Sequence, residues 1–159
     1  MQEHDVLVSI EPRFGKHVAA DWLAAIVRLT LEMEKAGACQ VGLVITGDEQ
    51  IRALNRDYAG EDHATDVLSF SLREGEPFVA PDEVSRLGEI VVSYETAMRQ
   101  ANEGSHEVDE EIAHLLVHGV LHLLGFDHAN VEDETKMRAR ERRVLGELSI
   151  EPRYPTSGG

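Results

Sequence analysis

The chain has 159 residues, which suits one domain with a core of its own. Its apolar share of 42% is ordinary for a globular protein, no stretch approaches a membrane span, and the acidic opening "MQEHDVLVSI" lacks the features of a secretory signal. Fifteen basic against thirty acidic residues give a formal charge of −15, which repels nucleic acid at long range, and the single cysteine, Cys39, excludes an internal disulfide and fits a reducing, cytoplasmic setting.

In chain order, "DVLVSI" reads as a short apolar strand that ends near Pro12. From about residue 17 to residue 35, Trp22, Ile26, Leu29 and Met33 recur at helical spacing, and Gly37 suits the stop. "CQVGLVIT" alternates like a strand, and Asp48 follows as a candidate N-cap for a helix carrying Ile51, Leu54 and Asn55. "TDVLSFSL" reads as another strand, residues 73–86 as a loop rich in glycine, proline and acids, and "LGEIVVS" as a strand leading into a helix over residues 94–102. The clearest helix covers residues 108–124, where Ile112, Leu115, Leu116, Leu123 and Leu124 supply apolar positions. A last helix is predicted over about residues 132–148, before "EPRYP" stops it. No internal repeat is visible, and the only low-complexity tract is the terminal "TSGG". Strands and helices intermix, which predicts a single α/β or α+β layer structure, with α+β preferred: a mixed sheet of about four strands packed with about five helices over residues 1–150, with a short tail at 151–159.

Twelve of the fifteen basic residues are arginines, and Lys136, Arg138, Arg140, Arg142 and Arg143 crowd the last helix. The preferred reading is a solvated face balanced by Glu132, Asp133, Glu134 and Glu141, and the alternative is a local cationic patch joined by Arg99.

Chemistry concentrates in "HGVLHLLGFDH", residues 118–128, which holds three of the chain's eight histidines. Side chains four apart on a helix lie on one face about 5–6 Å from each other. His118 and His122 can therefore chelate one ion, and a left-handed turn at Gly125 can bring His128 round as a third ligand. Three nitrogen ligands leave the fourth tetrahedral position open, the arrangement of catalytic rather than structural sites. Zinc is the first choice for imidazole, and nickel, copper or iron also suit it. His114, one turn earlier on the same stripe, can support a ligand, face a substrate or simply pack. The spacing H-x-x-x-H-x-x-G-x-x-H is that of the metzincin peptidases, but these place a glutamate base directly after the first histidine, where this chain has Gly119. That argues against ordinary peptide hydrolysis.

The same stretch closely resembles the signature of the YbeY family, bacterial ribosomal-RNA maturation factors and metal-dependent endoribonucleases. "LNRDYAGEDHATDVLSFSL", "LGEIVVS" and "EIAHLLVHG" extend the likeness in collinear order over roughly residues 40–145. The resemblance implies one zinc ion held by His118, His122 and His128 in a metzincin-related fold. It further implies cytoplasmic action on single-stranded RNA, in small-subunit ribosomal RNA maturation and ribosome quality control. Neither a membrane nor DNA is an expected partner. Two positions depart from the family: Ala59 follows Tyr58 where an arginine is usual, and Ala64 precedes Thr65 where a proline is usual. An arginine beside a metal clamps phosphate through paired hydrogen bonds, which alanine cannot. Arg56 is the candidate substitute if its stretch is helical.

The leading mechanism is metal-assisted phosphodiester hydrolysis. His114, Asp127 and Arg56 are the candidate catalytic residues: His114 as a base, Asp127 as the residue that orients an imidazole, Arg56 on the phosphate. Asp66 and Ser69 are candidates to line the cleft, and His63 reads as an exposed loop residue. The alternatives are an assembly factor of the small ribosomal subunit with weak or no nuclease activity and, less favoured, a metallopeptidase.

Overall fold

In the computed structural model, residues 4–72 and 85–150 are described. Strand β1 (His4–Ile10) runs into a single 3-10 turn (Pro12–Phe14) and helix α1 (Ala20–Met33). Then follow β2 (Cys39–Thr46), α2 (Asp48–Ala59), β3 (Val67–Ser71), β4 (Ser85–Ser93), α3 (Tyr94–Glu103), α4 (Val108–Leu123) and α5 (Val131–Glu147). The predicted α+β architecture is the one observed, with four strands and five α-helices among the described residues.

The sheet has the order β1-β2-β4-β3. β1 and β2 are parallel, as are β2 and β4, and only β3 runs antiparallel, alongside β4. Parallel neighbours require a crossover, and α1 supplies it between β1 and β2. The alternation legible in "CQVGLVIT" has a physical meaning: Val41, Leu43 and Ile45 are buried, while Gln40, Gly42 and Val44 are half-buried on the opposite face. Helix α4 is apolar on most of its circumference because it packs against β3, β4, α1, α3 and α5 together. It is therefore the core helix, and its one partly open stripe carries the histidines. None of the described helices is long and apolar enough to cross a membrane.

Three local expectations are corrected. α1 starts at Ala20 rather than near residue 17, because a further turn follows the 3-10 turn there, with His17 N bonded to Phe14 O at 2.9 Å. Asp48 is the first residue of α2, not its N-cap, which is Gly47. Its carboxylate is taken instead by the next helix: it accepts from Ser93 Oγ at 2.7 Å and from Thr96 Oγ1, and it pairs with Arg99 at 2.8 Å. Ser85 and Arg86, expected in a loop, open β4 because Cys39 and Gln40 of β2 provide their pairing partners. The loop expected over residues 73–84 and the tail at 151–159 lie outside the described residues.

Candidate metal centre

α4 begins at a capping box, in which Glu107 and Glu110 satisfy each other's backbone N–H groups, and acids in its first turn suit the positive end of the helix dipole. From that fixed start, Ile112, Leu116, Val120 and Leu121 turn into the core, while His114, His118 and His122 rise one above another on a half-buried stripe. The helix ends in a Schellman motif. Gly125 N bonds His122 O at 3.0 Å, Phe126 N bonds Leu121 O at 3.0 Å, and Gly125 takes φ +103°, a value that strongly favours glycine. Phe126 packs against the core and so anchors the exit from the turn. Asp127 then accepts from the backbone N of His128 at 2.7 Å, which fixes the direction in which that residue leaves.

The result is convergence. The rings of His118 and His122 lie with centroids 4.6 Å apart, and that of His128 lies 5.1 Å from His122 and 5.8 Å from His118. One nitrogen from each lies within 4.8 Å of the other two. Two nitrogens bound tetrahedrally at about 2.0–2.1 Å sit roughly 3.3–3.4 Å apart. His118 Nε2 and His122 Nε2 are 3.1 Å apart, close to that spacing, and with His128 the trio could hold one small divalent ion. Burial pushes the pKa of His122 below its ordinary value, and the neighbouring His118 and His128 push the same way, so His122 stays in the neutral form that binds metal.

Behind the trio stands a residue that the charge pattern concealed. Glu141 of α5 is 2% exposed and accepts from His118 Nδ1 at 2.7 Å and from His114 Nε2 at 3.3 Å. Burial raises its pKa, but hydrogen bonds from His114 and His118 outweigh this and hold it at about 2, fully ionised near neutrality. The bond to Nδ1 leaves Nε2 of His118 as the free lone pair and fixes the ring, as carboxylates commonly do for metal-binding histidines. Glu141 is thus not part of a solvated face. It shares a buried stripe with Met137, Val144 and Leu145, and an acid at that spacing is the signal that could have revealed it.

The remaining candidates separate clearly. His114 joins the site through Glu141, and Asp127 joins it through the His128 backbone. Arg56 pairs with the adjacent Asp57 at 3.2 Å. Ala59 is exposed at the end of α2, and Tyr58 packs edge-on against Phe70 at 5.3 Å. His63 is exposed and pairs with Glu61 at 2.8 Å. Two clefts meet at the histidines. One, of about 660 Å³, runs between α3, α4 and α5, past His114, His118, His128 and Glu141. The other, of about 420 Å³, follows β3 past Asp66, Ser69, His118, His122 and His128. Arg56 lines neither. Asp66 lines both, its carboxylate accepting from Val67 N at 2.7 Å. Gly119 faces the sheet: a Cβ there would lie 3.0 Å from Ile90 Cγ2 and 3.2 Å from Ser69 Oγ. The position where a metzincin keeps its base is therefore tightly packed even for a Cβ.

The family described as Endoribonuclease YbeY matches residues 10–149. The chain belongs to the YbeY family. A curated YbeY endoribonuclease from Desulforamulus reducens is 46% identical over 145 residues, covering 90% of this chain and 92% of that protein. Another, from Pelotomaculum thermopropionicum, is 49% identical over 111 residues, 70% of this chain and 73% of that protein. The solution structure of a Thermotoga maritima protein superposes with a TM-score of 0.56 at 25% identity, covering 92% of this chain and 91% of that one. The YbeY match spans α2, so Ala59 lies inside the matched segment.

Proposed function

We propose that the protein is a metal-dependent endoribonuclease that hydrolyses phosphodiester bonds in single-stranded RNA. Its place is the cytoplasm, in small-subunit ribosomal RNA maturation and ribosome quality control, where ribosomal RNA and the small subunit are its partners. The observation that carries this reading is the convergence of three imidazole nitrogens within 4.8 Å, backed by a buried carboxylate, at the junction of two clefts. His118, His122 and His128 would hold the ion, and an all-imidazole set favours zinc. Such an ion, when bound, supplies Lewis acidity toward a phosphoryl oxygen and toward water.

The chain's own groups do the positioning. Glu141 keeps the Nδ1 proton of His118 in place, so Nε2 would be the atom left to hold the ion. His114 fills the other carboxylate oxygen of Glu141 and is, in this reading, a positioning residue that also lines the larger cleft. Asp127 positions His128 by holding its backbone N–H. The glutamate base of a peptidase is missing, and Gly119 packs against Ile90 and Ser69, which disfavours peptide hydrolysis.

A second reading, an assembly factor with little nuclease activity, is favoured by one observation: Ala59 places no cation where relatives of this family usually carry an arginine. Cleavage of a single-stranded oligoribonucleotide, with and without chelator, separates the two. The endoribonuclease reading expects cleavage that chelator and His122→Ala both abolish. Small-subunit association that survives His122→Ala, with no cleavage at all, favours the assembly factor.

A further inference from the structure

The larger cleft is walled by carboxylates: Asp66, Glu103, Glu111 and Glu134 join Glu141 in its lining. RNA brings one negative charge per nucleotide, so beyond the single ion the histidines would hold, its phosphates need compensating cations in such a cleft. Among the described residues, Arg138 is the one arginine or lysine that lines either cleft reaching the histidines. It stands three residues before Glu141 on α5, so the two side chains leave the same helix face about one turn apart, with Cβ atoms about 5–6 Å from each other.

We infer that Arg138 is the phosphate-binding side chain of this cleft: it holds a backbone phosphate of single-stranded RNA beside the histidines, and Glu134 competes with that phosphate for it. The inference rests on the endoribonuclease reading for the identity of the ligand. Arg138 Nη2 lies 2.6 Å from Glu134 Oε1, with the two side chains 36% and 42% exposed. An ion pair this open to water is weak, so it can exchange its carboxylate for a phosphate at little cost. The guanidinium presents planar, paired donors that match a phosphate, which a lysine does not. Three other helical cations are occupied elsewhere or lie outside the clefts. Lys136 faces Glu132 at 3.5 Å, Arg140 faces Glu34 at 3.7 Å, and Arg99 is engaged by Asp48.

The test measures binding of a fluorescent single-stranded oligoribonucleotide by anisotropy across a salt series, alongside cleavage, metal content and thermal unfolding. Arg138→Ala is expected to weaken binding by about tenfold or more, the usual effect of losing a charge-assisted hydrogen bond. The slope of log affinity against log salt should fall by about 0.7, one phosphate contact on a single strand. Metal content and melting temperature should match wild type. Arg52→Ala, which removes an exposed arginine outside both clefts, controls for net charge and is expected to leave the slope unchanged. Arg138→Lys should fall between wild type and Arg138→Ala. Glu134→Gln should tighten binding, and should do so only when Arg138 is present. Equal affinity and slope in Arg138→Ala and Arg52→Ala overturn the inference, as does tightening by Glu134→Gln in the Arg138→Ala background. If the wild type binds RNA through Arg138 but never cleaves it, the endoribonuclease reading fails and the clamp stands. If it cleaves and Arg138→Ala matches Arg52→Ala, the clamp fails and the endoribonuclease reading stands.

Discussion

Glu141 and His118 lie 23 residues apart on different helices, yet the carboxylate meets Nδ1 at 2.7 Å with 2% of Glu141 exposed. The contact joins α5 to α4 and sets the tautomer of an imidazole of the candidate metal centre in one bond. An ionised carboxylate this deep persists only because two histidines share it.

Glu141→Gln is therefore expected to lower metal affinity about 10–100-fold, the usual effect of removing an outer partner of a ligating histidine. The amide keeps the shape and removes the charge, so the loss should show in chelator-competition titration while the helices persist by circular dichroism. Wild-type affinity in this variant would remove Glu141 from the site.

Gly125→Ala should cost about 1–2 kcal/mol or more, because φ +103° brings a Cβ into conflict with its own backbone. The cost falls on the turn that delivers His128. Metal affinity should drop with stability, although both histidines of α4 are intact. A stable variant with unchanged affinity would show that the turn does not place the third ligand.

Gly119→Glu is expected to destabilise by at least the roughly 1–3 kcal/mol typical of overpacking, since Ile90 is fully buried and Ser69 stands on the other side. It should not create a peptidase, because the new side chain starts against Ile90 of β4 and Ser69 of β3, which a Cβ alone already crowds. Thermal unfolding and a casein assay check both halves. Chelator-sensitive casein hydrolysis by the variant would refute this placement of Gly119.

Asp48 carries a pH signature. Burial raises its pKa, but bonds from Arg99, Thr96 and Ser93 together bring it below the ordinary 3.8. A folded pKa below the unfolded one means stability that is present above pH of about 4 and lost as pH falls through the lowered value. Asp48→Asn should cost about 1–2 kcal/mol at pH 7, discounted from the upper range for charged hydrogen bonds because Asp48 is partly exposed. The difference from wild type should shrink by pH 3, read from urea midpoints at the two pH values. A difference that grows on acidification would reverse the assignment.

Much of this molecule was readable in one dimension because its decisive chemistry is local. Two histidines at i and i+4, a glycine turn and a third histidine all fall within eleven residues, so helix periodicity and one backbone conformation suffice to bring them together. β2 and α4 were legible for the same reason, since period 2 and period 3.6 are written residue by residue. Asp48 was misplaced because its partners, Ser93, Thr96 and Arg99, are supplied by a helix far along the chain.

The sequence by itself determined the histidine trio that could hold an ion, the glycine where a peptidase keeps its base and the alternation that builds the sheet. Only the packing of α5 on α4 decided that Glu141, amid a run of arginines, is the buried support of His118, and that Arg138 rather than Arg56 faces the cleft. The physical reason is reach: backbone periodicity sets which neighbours within a few turns share a face, whereas the partner of a buried charge is set by which helices the hydrophobic core brings together.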